Sequence, residues 1–325
     1  MKPFTCAIIG ATGMVGDMML KVLEERQLPI STLYLFASPR SAGQQRLFNG
    51  QHISIEALTP TVFERGIDFA LFATEGDISK QYAPIAAKAG CVVIDNSSAW
   101  RMADHVPLCV PEVNGHALQH HQGIIANPNC CATPATVALK PLADTFGLSR
   151  VIISTYQSVS GAGVGGIEDL KITQAGHPPQ HFPHPIAGNL IPHIDTFHPD
   201  GYTGEEKKLM AEIQKILSLP TLPITATTVR VPVAYGHSLS INVTLSTPFT
   251  LASISDLLSK APGITLQNAP DTYPTPLHAA GTDNVYIGRL RRDDSHPNSL
   301  NLWVVADNTR KGAATNAVQI LESLC

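Results

Sequence analysis

Short apolar runs alternate with helical patterns along the first third of the chain. The predicted strands are Phe4–Ile9, Leu33–Ala37, Phe69–Ala73 and Val92–Asp95, and the predicted helices are Val15–Arg26 and Ile78–Ala89. Strands that alternate with helices in this way form parallel sheets with helices on both faces. The first third is therefore predicted to be an α/β domain built on a parallel sheet.

The middle of the chain follows a different pattern. A strand begins at Val151–Tyr156, and polar and apolar residues alternate without a break over Ser238–Leu245. Such alternation is typical of a mixed or antiparallel sheet with one polar face, so a second, α+β domain is predicted. A helix is predicted over Glu205–Leu217, where Thr203 and Glu206 have the spacing of a capping box. Its apolar stripe consists of Leu209, Ile213, Ile216 and Leu217.

The chain has 325 residues, enough for two domains. We place the first domain at residues 1–127, completed by a C-terminal helix within 308–325, and the second at residues 128–307. The last helix, Ala313–Leu324, is expected to pack back against the first domain. A segment rich in proline and histidine, residues 177–199, is expected to pack on another surface, such as a second subunit.

Composition and charge exclude several classes of protein. The net charge is −4 without a basic block, so no nucleic-acid surface is expected. No apolar run reaches membrane length, and the N-terminus does not resemble a signal peptide, so we expect a cytoplasmic protein with reduced cysteines. Neither the six cysteines nor the histidines of residues 177–199 show metal-ligand spacing, and no metal is expected.

A glycine loop, Gly10–Gly16, follows the first strand and precedes the first helix. Glycines in this position let the backbone approach a pyrophosphate, which the N–H groups at the helix start bind. A tight turn without a ligand is the alternative. The second strand ends without the acidic residue that binds the ribose of NAD. Ser38, Arg40 and Ser41 could instead hold a 2′-phosphate, so NADP is the predicted cofactor.

Two adjacent cysteines lie where an apolar strand gives way to a helix. Cys130 and Cys131 follow Asn127-Pro128-Asn129, and a thiol at a helix N-terminus has a lowered pKa. A small buried cysteine at a strand–helix junction is the structural alternative. Together with a nucleotide loop, a reactive thiol here indicates an aldehyde-type dehydrogenase.

The chain also carries a series of motifs, in order, through which it resembles aspartate-β-semialdehyde dehydrogenases nearly from end to end. The resemblance implies a Rossmann-type domain followed by a second domain with a mixed sheet, on the two-domain plan of glyceraldehyde-3-phosphate dehydrogenase. It also implies reduction of L-aspartyl 4-phosphate by NADPH to aspartate 4-semialdehyde and phosphate, in lysine, threonine, methionine and diaminopimelate synthesis. The motifs are Gly10–Gly16, Ser38–Gly43, Asn96–Arg101, Val110–Asn114, Asn127–Cys130, Ser154–Gly163, Val229–Val233 with Gly236–Ser238, and Leu302–Asn308.

The resemblance assigns catalytic roles to three residues. Cys130 matches the nucleophile that forms a thioacyl intermediate, and the Asn-Pro-Asn-Cys frame favours it over Cys131, where the family more often has Ser or Thr. His237 matches the acid–base histidine. Gln157 matches a glutamine that orients the substrate and the acyl intermediate.

Further roles carried over by resemblance concern the substrate. Arg230 matches the arginine that binds the α-carboxylate, for which a guanidinium fork is suited. Glu212 is assigned to the α-ammonium, and Lys215 and Arg101 to the phosphate, with Asn129 supporting the same anion. The residues around Glu212 and Lys215 differ from those usual in the family, which weakens these two assignments.

The cofactor and the oligomer are also expectations from the resemblance. The site is expected in the cleft between the two domains. A homodimer or homotetramer built on the sheet of the second domain is implied. The residues assigned to NADP are Gly10, Thr12, Gly13, Met14, Val15, Gly16, Ser38, Arg40, Ser41, Ser160, Gly161 and Asn308.

Three other interpretations compete with this one. N-acetyl-γ-glutamyl-phosphate reductase has the same fold and chemistry, and Thr133-Pro134 resembles it faintly. Its N-acetyl substrate needs an amide pocket, whereas a free ammonium needs an anion. A non-catalytic paralogue could lack the thiol, the histidine or the arginine, yet this chain retains all three. Glyceraldehyde-3-phosphate dehydrogenase has a different nucleophile motif.

Overall fold

The computed structural model describes residues 2–325, which form two compact units. The first contains residues 2–128 with Ala313–Cys325, and the second is Asn129–Gly312. Residues 308–312, which the sequence interpretation joins to the first domain, cluster with the second unit. No helix within residues 2–325 is both long enough and apolar enough to cross a membrane.

The elements are numbered in chain order. The strands are β1 (Phe4–Ile9), β2 (Ile30–Ala37), β3 (Gln45–Phe48), β4 (Gln51–Ala57), β5 (Phe69–Phe72), β6 (Val92–Asp95), β7 (Ile124–Ala126), β8 (Leu148–Gln157), β9 (Ile224–Arg230), β10 (His237–Leu245), β11 (Ile264–Gln267), β12 (Val285–Arg292) and β13 (Ser299–Ala306). The helices are α1 (Met14–Glu25), α2 (Gly76–Lys88), α3 (Pro111–Asn114), α4 (Ala132–Phe146), α5 (Gly163–Gln174), α6 (Gly204–Ile216), α7 (Leu251–Lys260), α8 (Pro276–Ala279) and α9 (Thr315–Leu324).

The first unit is a mainly parallel sheet, as predicted. Its strand order is β3-β4-β2-β1-β5-β6-β7, and only the β3–β4 pair is antiparallel. The sequence interpretation missed this hairpin. Asn49 and Gly50 both have positive φ, of 48° and 76°, as a two-residue hairpin turn of the I′ type requires.

Helices α1 and α9 bury their apolar faces in the core of the first unit. Met19 and Leu23 of α1 and Val318 and Leu321 of α9 are fully buried in one cluster with residues of β1. Helix α9 belongs to this first unit. A π-helical turn, Arg310–Ala314, precedes it.

The second unit is a mixed sheet, which also confirms the prediction. Its strand order is β11-β12-β13-β10-β8-β9, with β10 antiparallel to both β8 and β13. Along β10, Leu239, Ile241 and Val243 are buried, whereas Ser240 and Asn242 are partly exposed. The alternation in the sequence therefore corresponds to one apolar and one polar sheet face.

Helix α6 begins as the sequence predicts. Thr203 and Glu206 form the complete capping box, in which the Glu206 carboxylate accepts from the Thr203 amide at 2.7 Å. The predicted stripe is buried. Because the cap fixes the start of the helix, it also fixes which side chains of the first turn point into the unit.

The segment rich in proline and histidine packs on its own unit. Ile186 and Ile191 are buried with Val159 and Leu170, and Ile191 bridges to Arg230 at the end of β9. These two residues therefore pack on their own unit, and packing of the exposed remainder on a second subunit stays a prediction.

Candidate active site

Asn129 caps helix α4 and so sets the position of the cysteine that follows it. Its Oδ1 accepts from the amides of Cys131 at 2.8 Å and Ala132 at 3.3 Å, and its carbonyl accepts from the Thr133 amide at 3.0 Å. These are the bonds of an N-cap residue. Cys130 therefore lies directly before the N-terminus of α4, where the macrodipole favours a thiolate.

The two adjacent thiols have opposite electrostatic environments. The pKa of Cys130 is well below its usual value because Cys131 donates a hydrogen bond to it and because His237 and Arg230 lie nearby. Burial and the negative charges of Cys130 and Glu205 raise the pKa of Cys131 well above its usual value. Cys130 is also partly exposed, whereas Cys131 is fully buried. Cys130 is therefore the nucleophile that the geometry favours.

His237 is fully buried at the start of β10, and its ring orientation is fixed. Its Nδ1 lies 3.0 Å from both the amide and the hydroxyl of Ser158. The amide donates to the neutral ring, which places the hydrogen on Nε2, and the hydroxyl can accept from the charged ring. Nε2 itself has no partner within residues 2–325. The ring is therefore held in an orientation in which Nε2–H can donate a hydrogen bond.

Gln157 and Glu205 form the opposite side of the site. The amide of Gln157, which ends β8, donates from Nε2 to Cys131 Sγ and to Glu205 Oε1, both at 2.9 Å. Glu205 Oε1 also accepts from Asn129 Nδ2 at 2.9 Å. Gln157 Oε1 is buried without a partner in the described part of the chain. A buried carboxylate and an unused amide oxygen thus face the nucleophile's helix.

Arg230 supplies the positive charge of the site. Its Nη1 donates to the Ser158 carbonyl at 2.8 Å, and its Nε has no partner among the described residues. A Cβ at Gly161 would lie 2.7 Å from Arg230 Nη1 and 3.1 Å from His237 Nε2. Only glycine at position 161 therefore leaves room between these two functional groups.

Three residues predicted to bind the cofactor support this arrangement. Asn308 Oδ1 accepts from the Ser158 hydroxyl and the Gly236 amide at 3.0 Å, and Asn308 Nδ2 donates to the Ser160 hydroxyl at 3.0 Å. Gly161 is the next residue in the chain after Ser160. Ser160, Gly161 and Asn308 thus lie around His237 in the second unit.

Of the two predicted substrate residues on α6, Glu212 contacts the nucleophile's loop and Lys215 lies farther along the helix. Glu205, which the sequence interpretation missed, lies within the cluster. Glu212 is buried and accepts from the Asn129 amide at 2.6 Å, so its carboxylate holds the nucleophile's loop. Lys215 lies ten residues after Glu205, about 15 Å farther along the helix. The Glu205 carboxylate accepts hydrogen bonds from both Asn129 and Gln157. The spacing Glu-x-x-Lys occurs twice on this helix, at Glu205/Lys208 and at Glu212/Lys215, and is a signal that could have found it.

Arg101 lies in the first unit, largely buried. Its Nε donates to the Asn127 carbonyl at 3.0 Å and its Nη2 to the Asn96 carbonyl at 2.8 Å. These bonds hold the guanidinium at the carboxyl ends of β6 and β7, a common position for ligand-binding residues of parallel sheets.

The glycine loop in the first unit has the geometry of a nucleotide site. Gly10 has φ of +87°, and a Cβ there would lie 2.4 Å from the Ala73 carbonyl oxygen, so only glycine fits. A cavity of about 490 Å³ beside it suits part of a dinucleotide, and Glu75 at its wall is an acidic residue that the sequence reasoning missed. Arg40 is exposed in the turn after Ser38. The cavity is lined by Ile9, Gly10, Thr12, Gly13, Ala37, Ser38, Pro39, Leu58, Ala73, Thr74, Glu75, Ile78 and Tyr82.

Cys130, Cys131 and His237 also place one potential metal-ligand atom each within 4.8 Å of one another. Ligation through Nε2 would remove its hydrogen and leave the Ser158 amide without an acceptor in the ring. In the tautomer that the Ser158 amide favours, Nε2 therefore carries a hydrogen and acts as a donor.

The site places a thiolate at a helix start, next to an imidazole, an amide and a guanidinium. This set of groups is that of a dehydrogenase that forms an acyl-cysteine, and the glycine-loop unit provides the nucleotide site. Residues 5–121 match the family model "Semialdehyde dehydrogenase, NAD binding domain", and residues 139–311 match "Semialdehyde dehydrogenase, dimerisation domain". The cofactor is thus a nicotinamide nucleotide.

Comparison with known proteins narrows the class to one family. The chain is 49% identical to aspartate-semialdehyde dehydrogenase of Aquifex aeolicus (strain VF5), over 99% of this chain and 98% of that protein. It is 48% identical to the enzyme of Legionella pneumophila, over 98% and 94%. The chain belongs to the aspartate-semialdehyde dehydrogenase family.

Solved structures agree with this assignment. The crystal structure of aspartate semialdehyde dehydrogenase II from Vibrio cholerae has a TM-score of 0.96 and 46% identity, covering 99% of this chain and 98% of that one. A structure of the same enzyme complexed with ASA has a TM-score of 0.96 and 45% identity, covering 100% and 98%.

Proposed function

We propose that the chain reduces L-aspartyl 4-phosphate with NADPH to aspartate 4-semialdehyde and phosphate, reversibly, through a thioester on Cys130. One observation carries the proposal. Three buried polar atoms lack a partner in the described residues: Gln157 Oε1, Arg230 Nε and His237 Nε2. Buried polar atoms are rarely left without partners, so a polar ligand is expected beside the thiol.

Cys130 and His237 perform the covalent step. The thiolate attacks C4 of the acyl phosphate, a carbon–sulfur bond forms, and phosphate leaves with the electron pair of the broken carbon–oxygen bond. His237 Nε2 donates to the oxyanion that develops on the carbonyl oxygen. In the reverse direction, phosphate attacks the thioester and Cys130 leaves as a thiolate, which its low pKa favours.

The charged ends of the substrate match two opposite charges of the site. Arg230 would bind the α-carboxylate, because its Nε is unused and its guanidinium is buried. Glu205, rather than Glu212, would bind the α-ammonium, because its carboxylate contacts the substrate-orienting Gln157, whereas the Glu212 carboxylate contacts the main chain of the nucleophile's loop. A buried carboxylate suits an ammonium and not an N-acetyl amide, which disfavours the N-acetylglutamyl substrate.

The phosphate requires cations. Arg101 is one candidate. Lys208 lies one turn after Glu205, closer along α6 than Lys215, and forms an ion pair with Asp195. Asn129 acts by holding the loop and the helix start, since its side chain caps α4.

The nicotinamide nucleotide, when bound, exchanges a hydride with the substrate carbon. Gly10, Thr12, Gly13 and Ser38 line the cavity that would hold it. We favour NADP because Ser38, Arg40 and Ser41 provide donors and a positive charge for a 2′-phosphate. The Arg40→Ala variant should raise KM for NADP about tenfold or more and leave KM for NAD unchanged, as loss of one charge-assisted contact predicts. An equal effect on both nucleotides would refute this assignment.

We also propose a homodimer that uses the polar face of the second unit's sheet. Tyr156 and Trp303 pack together there with ring centroids 5.4 Å apart, and Tyr156 is 37% exposed. The matched dimerisation model covers this sheet. Light scattering of the wild type should give a mass twice that of one chain, and the Trp303→Glu variant should give the mass of a single chain.

The test of the activity is phosphate-dependent reduction of NADP by aspartate 4-semialdehyde. Cys130→Ser should abolish turnover, whereas Cys325→Ser, a matched change at an exposed cysteine, should retain it. Activity of the wild type with N-acetylglutamate semialdehyde alone would replace the proposed substrate. Retained turnover in Cys130→Ser would exclude the nucleophile.

A further inference from the structure

Cys131 is held from three directions, although nothing in the reaction itself uses it. Its amide donates to Asn129 Oδ1 at 2.8 Å, its Sγ accepts from Gln157 Nε2 at 2.9 Å, and its side chain is fully buried. Its Sγ also lies within 4.8 Å of the Cys130 Sγ. A residue that only filled space would not need a polar side chain at this place.

The surroundings of the two sulfurs determine which of them donates in a hydrogen bond between Cys131 and Cys130. Cys131 keeps its proton because it is buried and lies beside Glu205, whereas Cys130 faces the positive Arg230 and the imidazole of His237. The Cys131 S–H therefore donates and the Cys130 sulfur accepts. The Gln157 N–H, which donates to the Cys131 sulfur, polarises the S–H further, since hydrogen bonds in a chain strengthen one another.

We propose that Cys131 is a positioning residue, whose S–H donates to the Cys130 thiolate and links it to Gln157, so that nucleophile and substrate-orienting amide are aligned as one unit. The proposal rests on the proposed function only in naming Cys130 as the nucleophile. It concerns the state of the free enzyme, so it can be tested without turnover.

The titratable and charged groups that act on Cys130 are His237 on β10, Arg230 on β9 and Cys131, the next residue in the chain. Glu205 on α6 acts on Cys131. A substitution of Cys131 leaves the other three in place. A change in the ionisation of Cys130 in such a variant can therefore be assigned to the lost hydrogen bond.

Two isosteric pairs separate hydrogen bonding from packing. Cys131→Ser and Cys131→Thr retain a donor, whereas Cys131→Ala and Cys131→Val match them in size without one. The rate of iodoacetamide alkylation of Cys130, located by peptide mass spectrometry, is measured against pH without substrate. We expect the Ala and Val variants to raise the apparent pKa of Cys130 by about one unit, which lowers the rate about tenfold below that pKa. The Ser and Thr variants should remain close to the wild type.

The outcomes are distinct. The proposal is supported if the pH profiles of alkylation of the Ser and Thr variants match the wild type and those of the Ala and Val variants are shifted. It is overturned if the profiles divide by side-chain size instead, or if all four coincide with the wild type. If the small Ala variant fails to fold, the Thr and Val pair still decides. A failure here leaves turnover of the wild type and loss of turnover in Cys130→Ser untouched, so it is distinguishable from failure of the proposed function.

Discussion

Exchange of Glu205 for glutamine tests which carboxylate of α6 binds the substrate ammonium. Glu205 is only 9% exposed, and the contacts to its Oε1 are two neutral amide donors at 2.9 Å. Its charge is thus available to a cation in a poorly solvated place. A hydrogen bond between charged groups contributes about 1.5–3 kcal/mol, which corresponds to about 10- to 150-fold in kcat/KM.

The assay compares aspartate 4-semialdehyde with succinate semialdehyde, which lacks the ammonium. Glu205→Gln should lower kcat/KM for aspartate semialdehyde by about 10- to 150-fold. The kcat/KM for succinate semialdehyde should stay within about threefold of the wild-type value. Glu212→Gln is the matched control on the same helix. It should not change the ratio between the two substrates, because its carboxylate contacts the Asn129 amide. If Glu212→Gln and not Glu205→Gln changes this ratio, the reasoning is refuted.

Three further predictions follow from the same contacts. Gly161→Ala should lower kcat/KM at least tenfold, because the new methyl would crowd Arg230 and His237. Steady-state kinetics with wild-type values would exclude the crowding. Thr203→Ala should destabilise α6 by about 0.5–2 kcal/mol through loss of the capping box, as urea unfolding would show, whereas unchanged stability would contradict it. Because the pKa of Cys130 lies well below 9.0, its alkylation should be nearly constant just below pH 9 and fall only at lower pH; a rate that rises steeply up to pH 9 would exclude the thiolate.

The features that the sequence predicted well depend on local spacing. The capping box at Thr203 and Glu206 and the alternation of β10 are each encoded within a few residues, and both occur in the structure. The helix-start thiol likewise follows from a strand, a short turn and an amide side chain that can cap. Local hydrogen bonds and side-chain periodicity do not depend on the rest of the fold, so they can be inferred from one sequence.

The features that were missed depend on which residues the fold brings together. Glu205 and Glu212 share the same spacing to a lysine, and only the packing of α6 beside Asn129 and Gln157 distinguishes the two. Helix α5 was missed because glycines at its start dilute the apolar pattern that marks a helix. The β3–β4 hairpin was missed although Asn49-Gly50 is a strong turn signal, because its strands are short and largely exposed.

The central claim is that Cys130 carries the acyl group. The most direct measurement is mass spectrometry of the enzyme after incubation with aspartate 4-semialdehyde and NADP without phosphate, followed by peptide fragmentation. Without phosphate the thioester cannot be resolved by its normal acceptor, so it should accumulate. We expect an aspartyl group on Cys130 that disappears when phosphate is added. An aspartyl group on Cys131, or none on either cysteine in an enzyme that turns over once phosphate is supplied, would contradict it.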